Sequence, residues 1–169
     1  FEETIKNVRE ILHEIVRGGI RKNRKIGAML SGGLDSTSVA ALISNEFGKD
    51  SKQKLNTYCV DFNKSEDFKA SELRPDIDAP YARQAAEFMQ TNHSTVSFSV
   101  GDINGVIPDT RQARDLPAWG QFDASMYKLF SEMKKENDLA FSGEGADEFF
   151  GGYPYLFNEE LINGNTFPW

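Results

Sequence analysis

Residues 25–47 read KIGAMLSGGLDSTSVAALISNEF, and the fold is decided here. Lys25 to Leu30 is a short apolar run that stops at the pair Gly32-Gly33, as a buried strand stops at a tight turn. Thr37 to Phe47 then has the length and the small apolar residues of a packed helix. Strand, glycine turn and helix in this order open a βαβ unit. Leu55 to Phe62 (LNTYCVDF), rich in β-branched and aromatic residues, supplies its second strand.

Downstream, Asn63 to Asp78 is polar and charged and reads as a surface loop, with Asp78 placed to cap a helix over Ala79 to Gln90. Thr95 to Val100 is a third strand, Ile103 to Arg114 and Ala124 to Lys135 are helices, and Leu139 to Ser142 is a short fourth strand. Upstream, Ile5, Val8, Leu12 and Ile15 recur at helical spacing, so Glu3 to Arg17 reads as an amphipathic helix ended by Gly18 and Gly19. Alternating strands and helices imply an α/β fold, a parallel sheet with helices on both faces. Such sheets bind ligands at the carboxyl ends of their strands, which directs attention to the loops after Leu30, Phe62 and Ser142.

With 169 residues the chain has room for a single domain, residues 1–169, in which 25–153 is the core and 154–169 the terminal segment. Nineteen basic against 26 acidic side chains give a formal charge of −7, which disfavours nucleic acid as a partner. The single Cys59 has no intramolecular partner, so the expected compartment is reducing and cytoplasmic. The longest apolar runs, such as Val39 to Ile43, fall far short of a membrane span, and the charged start FEETIKNVRE lacks a signal-peptide core. Neither anchorage nor export is expected.

The first loop, Ser31-Gly32-Gly33-Leu34-Asp35-Ser36, lies between a strand and a helix. Its glycines let amide N–H groups converge, two hydroxyls add donors, and the helix presents its positive end to an anion. No Lys follows the glycines, so this is not a Walker loop. Asp35 would repel a phosphate unless a divalent cation lies between them, which implies Mg²⁺. The second loop, Ser142-Gly143-Glu144-Gly145-Ala146-Asp147-Glu148, holds three carboxylates among glycines at a strand end. Aromatic residues flank it and are expected to lower the local dielectric, so a second metal ligand and a general base are reasonable roles.

AMLSGGLDSTSVAAL (28–42) resembles the pyrophosphate-binding loop of the ATP pyrophosphatase superfamily, and FSGEGADEFFGGYPY (141–155) is similar to the second signature of the asparagine synthetase family's synthetase domain. The resemblance runs from about Ile26 onward and includes TYCVDF and DLPAWGQFDASMY. It implies a Rossmann-like adenine nucleotide alpha hydrolase (PP-loop) architecture and an ATP-dependent amide-forming ligase. A substrate carboxylate, the side chain of aspartate in the family, would attack the α-phosphorus to give an acyl-adenylate and pyrophosphate. Ammonia, free or from a separate glutaminase domain, would then displace AMP.

By the same resemblance, Ser31, Gly32, Gly33, Asp35 and Ser36 would hold the pyrophosphate, and Asp35 and Asp147 would share Mg²⁺. Glu144 would assist the nitrogen nucleophile, while Met29, Leu30, Val60, Ser142 and Gly143 would bind the nucleotide. The chain shows no glutaminase nucleophile, since it starts at Phe1 and Cys59 lies inside a predicted strand. Family members continue past Phe167-Pro168-Trp169 with a helical region that supplies basic groups. The 169-residue chain alone is therefore expected to be a weak catalyst, with Arg83, Arg111 or Arg114 as the alternative cations. Asp123 stands where better-known members carry an arginine at the substrate site, which questions aspartate as substrate.

The basic run Arg17, Arg21, Lys22, Arg24 and Lys25 precedes the first strand, at its wrong end for ligand, and reads as a solvated connector. His13 on the first helix and His93 in a turn have no ligand spacing between them. Glu66, Glu72, Asp76 and Asp78 lack the spacing of a calcium loop. Trp119 and Trp169 would cover the site or fill a gap. Two further function classes compete with the ligase: a tRNA-modifying member of the same superfamily, disfavoured by the acidic charge, and a catalytically incomplete nucleotide-binding module.

Overall fold

Four parallel strands form the sheet, the two central ones largely buried and the two edge ones partly exposed. They are β1 (Ile26–Met29), β2 (Asn56–Phe62), β3 (Asn92–Phe98) and β4 (Leu139–Phe141), in the spatial order β3-β2-β1-β4. The computed structural model describes residues 1–20, 24–48, 53–62, 77–116 and 121–166. β1 pairs with β2 in the register Ala28 with Thr57, and with β4 in the register Ala28 with Phe141. β2 and β3 pair over their full seven residues, from Asn56 with Asn92 to Phe62 with Phe98.

On one face, Ile26, Ala28 and Leu30 pack with Leu55 and Cys59 against α1 (Glu2–Gly19), α2 (Leu34–Phe47) and α3 (Asp78–Met89). On the other, Tyr58, Met29, Val60 and Val96 meet α6 (Gln121–Glu136) through Leu129 and Met133. Phe98 and Ala124 extend that layer to α4 (Val100–Gly105) and α5 (Ile107–Arg114). Leu30, Ile43 and Leu55 are each at most 2% exposed, so each contributes about 1.5–3 kcal/mol of burial. The expected α/β class with helices on both faces is present.

Helix α6 is pinned at the amino ends of the strands. The Asn137 amide donates to the Tyr58 hydroxyl at 2.7 Å and to the Met133 carbonyl at 2.8 Å, and its carbonyl accepts from Asn56 at 2.9 Å. Gly27 leaves room for that side chain, since a Cβ there would lie 3.0 Å from Asn137 Cγ. Helix α1 is tied to α2 by Arg17, whose Nε donates to Glu46 at 2.9 Å, with His13 Nδ1 at 3.4 Å from the same oxygen. The Arg17 guanidinium holds the Glu46 carboxyl below the ordinary glutamate range.

Several expectations are corrected. The helix read over Ile103 to Arg114 is two helices, because Gly105 and Val106 end the first turns and Pro108 restarts them in α5. Helix α4 begins earlier, at Val100. There Ser99 accepts from the Asp102 amide at 3.1 Å, while Asp102 accepts from the Ser99 amide at 2.9 Å, a complete capping box. β3 starts at Asn92 rather than Thr95, so His93 sits on a strand and not in a turn. Its ring meets Thr57 Oγ1 at 3.0 Å, and burial together with the Arg83 charge pushes its pKa down. Helix α2 begins at Leu34, three residues before the expected start, which brings Asp35 and Ser36 into its first turn.

Three short elements complete the chain beyond β4: α7 (Ala146–Phe150), a 3₁₀ turn over Pro154–Phe157, and α8 (Glu159–Ile162). In the basic run, Arg17 pairs with Glu46 and Arg24 with Asp138. Arg21, Lys22, Glu66, Glu72, Asp76, Trp119 and Trp169 lie outside the described residues, as does most of the loop read over 63–78. Among the described residues no helix is long and apolar enough to cross a membrane.

Candidate functional site

The chain runs from β1 through β2 to β3 on one side, then returns to place β4 on the other side of β1. The order reverses between β1 and β4, and the carboxyl ends of these two strands are therefore where an open parallel sheet leaves a crevice. The two loops singled out in the sequence leave the sheet at these two ends.

In the first loop Gly32 adopts φ +85°, and a Cβ there would fall 2.5–2.6 Å from the Tyr81 carbonyl carbon and the Ala82 nitrogen of α3. Only glycine fits both the left-handed backbone and the close approach. The hydroxyls of Ser31 and Ser36 stand 3.0 Å apart. Ser36 Oγ accepts the Ser31 amide at 3.1 Å, and Ser31 Oγ accepts the Gly33 amide at 3.3 Å. The loop is thus folded on its own donors, with Asp35 in the first turn of α2.

In the second loop the Glu144 amide donates to Ser142 Oγ at 3.0 Å. Gly145 at φ +94° and Gly151 at φ +71° bound α7, which carries Asp147 and Glu148. The two loops touch backbone to backbone: a Cβ on Gly143 would lie 2.8 Å from the Ser36 nitrogen and 3.0 Å from the Asp35 carbonyl carbon. Ser31, Gly33, Asp35, Ser36, Ser142, Gly143, Glu144 and Asp147 consequently share the wall of one cleft of about 230 Å³. Glu148 and Tyr153 complete it, and among the described residues no Lys or Arg lines it. The Tyr153 hydroxyl donates to Glu148 at 2.8 Å, and that bond, burial and the nearby carboxylates push its pKa up to about 12.

Beside this cleft lies a larger, mainly apolar pocket of about 680 Å³, and Met29, Ser31 and Glu144 belong to both. Leu30, just after β1, and Val60, within β2, line the larger one. Sequence reading missed its far wall, which α6 supplies through Phe122, Ser125, Met126 and Leu129. Their spacing of three, four and seven residues is a helical stripe, a signal present in the sequence. It also missed Glu148 and Tyr153 as a bonded pair.

The expected aromatic shielding of the acidic loop is corrected, because Phe149 and Phe150 are 86% and 65% exposed. Only Tyr153 faces the cleft. Asp123, at 11% side-chain exposure, is engaged by Arg114 across the α5–α6 junction. Arg83, Arg111 and Arg114 do not line the cleft.

The donors of the cleft suit a divalent cation held together with phosphate oxygens. Among the described residues no group of three His, Cys, Asp or Glu side chains forms a ready metal cage. Mg²⁺ does not require one, since it is commonly held by one or two carboxylates with phosphate oxygens and waters. Asp35 and Asp147 in one cleft without basic neighbours fit that pattern.

Comparison with known proteins follows the same residues. The family model described as asparagine synthase matches residues 7–169. The chain is 32% identical over 170 residues to asparagine synthetase (glutamine-hydrolyzing) 3 of Bacillus subtilis (strain 168), covering 100% of this chain and 27% of that protein. It is 28% identical over 174 residues to the probable asparagine synthetase (glutamine-hydrolyzing) of Dictyostelium discoideum, covering 96% of this chain and 29% of the relative. It therefore spans less than a third of the length of these curated relatives.

Among solved structures, the U34-tRNA thiolase NcsA from Methanococcus maripaludis superposes with a TM-score of 0.55 at 16% identity, over 96% of this chain and 58% of the other. The NH3-dependent NAD synthetase from Campylobacter jejuni gives 0.52 at 14% identity, over 88% and 60%. At such identities the likeness is one of fold, and it agrees with the PP-loop architecture. Two glycine loops meeting at the reversal of the sheet, and a family match over nearly the whole length, lead to one conclusion: this chain belongs to the asparagine synthase family.

Proposed function

We propose that this chain is the synthetase unit of an ATP-dependent amide-forming ligase, with residues 25–153 as its nucleotide-binding core. The observation that carries the reading is the backbone contact between the Ser31–Ser36 and Ser142–Glu148 loops. It joins a polar cleft to an apolar pocket large enough for a nucleoside.

In this reading the adenosine lies against Met29, Leu30 and Val60, and the phosphates enter the cleft between Ser31, Gly33, Ser36, Ser142 and Gly143, with Gly32 shaping the turn from behind. Asp35 and Asp147 hold Mg²⁺, which when bound neutralises phosphate charge that the carboxylate-lined cleft would otherwise repel. The substrate carboxylate, which in the family is the aspartate side chain, attacks the α-phosphorus, and the bond to the bridging oxygen breaks with pyrophosphate as leaving group. Glu144 belongs to both cavities and so would stand where nucleoside meets phosphates, near the α-phosphorus at which the acyl-adenylate forms. It takes a proton from ammonia as nitrogen adds to the acyl carbon and AMP departs. Binding and orientation dominate in such a transfer, because the leaving groups carry their charge on phosphate oxygens.

The ammonia is supplied free or by a glutaminase domain outside residues 1–169. A buried Cys59 thiol and a nucleotide substrate suit the cytoplasm. ATP–pyrophosphate exchange stimulated by amino-acid carboxylates, measured on this chain and on a longer form, tests the proposal. Aspartate-dependent exchange is expected, greater in the longer form. Mg²⁺-ATP binding without exchange in either form would leave a nucleotide-binding module, and no binding at all would end the reading.

A further inference from the structure

Helix α7 has five residues, none of them buried, and its one side chain against the body of the domain, Phe150 at the edge of an open groove of α1 and α2, is 65% exposed, so packing holds its orientation only weakly. Yet it carries Asp147, whose direction decides whether its carboxylate meets Asp35 across the cleft. The segment that follows supplies what packing does not. Gly151, at φ +71°, turns the chain back, and the Gly152 amide donates to the Asp147 carbonyl at 2.9 Å. The Asp147 carboxylate rests on the Cα of Gly152, where any side chain would overlap Oδ1. One residue on, the Tyr153 hydroxyl donates to Glu148 Oε1 at 2.8 Å, and the Tyr153 ring stacks on Tyr155 at 5.0 Å with 11° between planes. Tyr155 lies in the 3₁₀ turn that begins at Pro154, so the ring is backed by an element with restricted backbone.

From this geometry we propose that Gly152, Tyr153 and Glu148 form a clasp that positions Asp147. Tyr153 and Glu148 are positioning residues for the cleft, not ligands of its contents. The bond to Tyr153 draws one oxygen of Glu148 aside, and Glu148 is the carboxylate next in sequence to Asp147. Without the phenol, α7 loses this side-chain tether, and Asp147 is free to leave the direction in which the clasp holds it. The assignment rests on the nucleotide-binding reading of the cleft for its purpose, but the clasp is testable without any ligand.

The test compares Tyr153→Phe, Glu148→Ala, Glu148→Gln and the Tyr153→Phe/Glu148→Ala pair on the whole chain. Amide hydrogen exchange in the absence of nucleotide comes first. Exchange at Phe149 and Gly152 is expected to rise about tenfold in Tyr153→Phe and Glu148→Ala, with the melting temperature unchanged and the pair no worse than either single variant. Glu148→Gln retains an acceptor oxygen and is expected to stay near the unmodified rate. Unchanged exchange in Tyr153→Phe overturns the clasp.

Mn²⁺ binding in the presence of ATP, followed by paramagnetic resonance, comes second. It is expected to weaken about tenfold in Tyr153→Phe, where no charge changes, since a displaced ligand loses most of its pre-organisation, and Glu148→Gln is expected to bind more tightly than Glu148→Ala. Loosened exchange with undiminished Mn²⁺ affinity overturns the positioning role. Failure of the unmodified chain to bind Mn²⁺-ATP would strike the functional reading instead, and the exchange experiment would still decide the clasp.

Discussion

Replacement of Gly143 by Ala puts one methyl group where the two loops touch. That Cβ would lie 2.8 Å from the Ser36 nitrogen, 3.0 Å from the Asp35 carbonyl carbon and 3.1 Å from the Ser36 Cα, all of them backbone atoms at the head of α2. None is the end of a side chain that could swing away. Ordinary contact begins near 3.4 Å, so the loops must part by about 0.6 Å. Overpacking of this kind costs about 1–3 kcal/mol, which at about 2–4 °C per kcal/mol lowers the melting temperature by several degrees. The loss of ligand affinity is expected to be larger, about 10- to 100-fold for Mg²⁺-ATP, because both walls of the cleft move relative to each other.

Gly18→Ala is the control: its Cβ meets nothing within 4 Å, and in a helix Ala is the better residue by about 0.5–1 kcal/mol. Calorimetric titration with Mg²⁺-ATP and thermal unfolding of both variants measure the two effects. Gly143→Ala binding as tightly as Gly18→Ala would refute the claim that loop contact sets the cleft.

Asp35→Asn and Asp147→Asn each remove one charge from the cleft without changing shape, so Mg²⁺-dependent nucleotide binding is expected to fall about tenfold or more while thermal stability holds; calorimetry showing both variants to bind as tightly as the unmodified chain would dismiss the metal assignment. Glu144→Gln is expected to keep nucleotide affinity and to slow amide formation about 100-fold in a form of the protein that synthesises, and normal synthesis from ammonia would remove Glu144 from the chemistry. Glu46 binds its proton more weakly in the folded chain than in the unfolded one, owing to its bond with Arg17 and to His13. The stability it contributes is present above the ordinary glutamate value of 4.5 and lost as pH falls through the depressed folded value. Arg17→Met should flatten the acid limb of a denaturant-midpoint profile, and an unaltered limb would show that the pair is not coupled to folding.

Much of the site could be read from the chain because its signals are local. A strand ending in Gly32-Gly33 and a second ending before Gly143 specify turns within a few residues, and a parallel sheet brings such ends together. The split between α4 and α5 was also written locally, in the Ser99 to Asp102 capping box and in Pro108. A continuous helical pattern from Ile103 to Arg114 masked it. What local pattern does not encode is direction in space. Phe149 and Phe150 adjoin the acidic loop in sequence yet line none of the cleft that Asp147 and Glu148 enter, because α7 turns Phe149 to solvent and Phe150 to the edge of an open groove of α1 and α2. The contact of Asp147 with Gly152 depends on the left-handed turn at Gly151, and the far wall of the apolar pocket depends on how Asn137 anchors α6.

The pairing of β4 with β1 joins the last strand of the sheet to the first, Leu139 beside Ile26 and Phe141 beside Ala28. During synthesis β1, β2 and β3 emerge and can pair in order, but the cleft then has only one wall. The second arrives when residues 139–147 have left the ribosome, more than a hundred positions after Ser31. Completion of the cleft therefore waits for β4 to dock, and any ligand that binds across the two loops favours only molecules in which it has docked. In that sense occupancy of the cleft would serve as a proof of assembly, withheld from any chain in which β4 is still undocked.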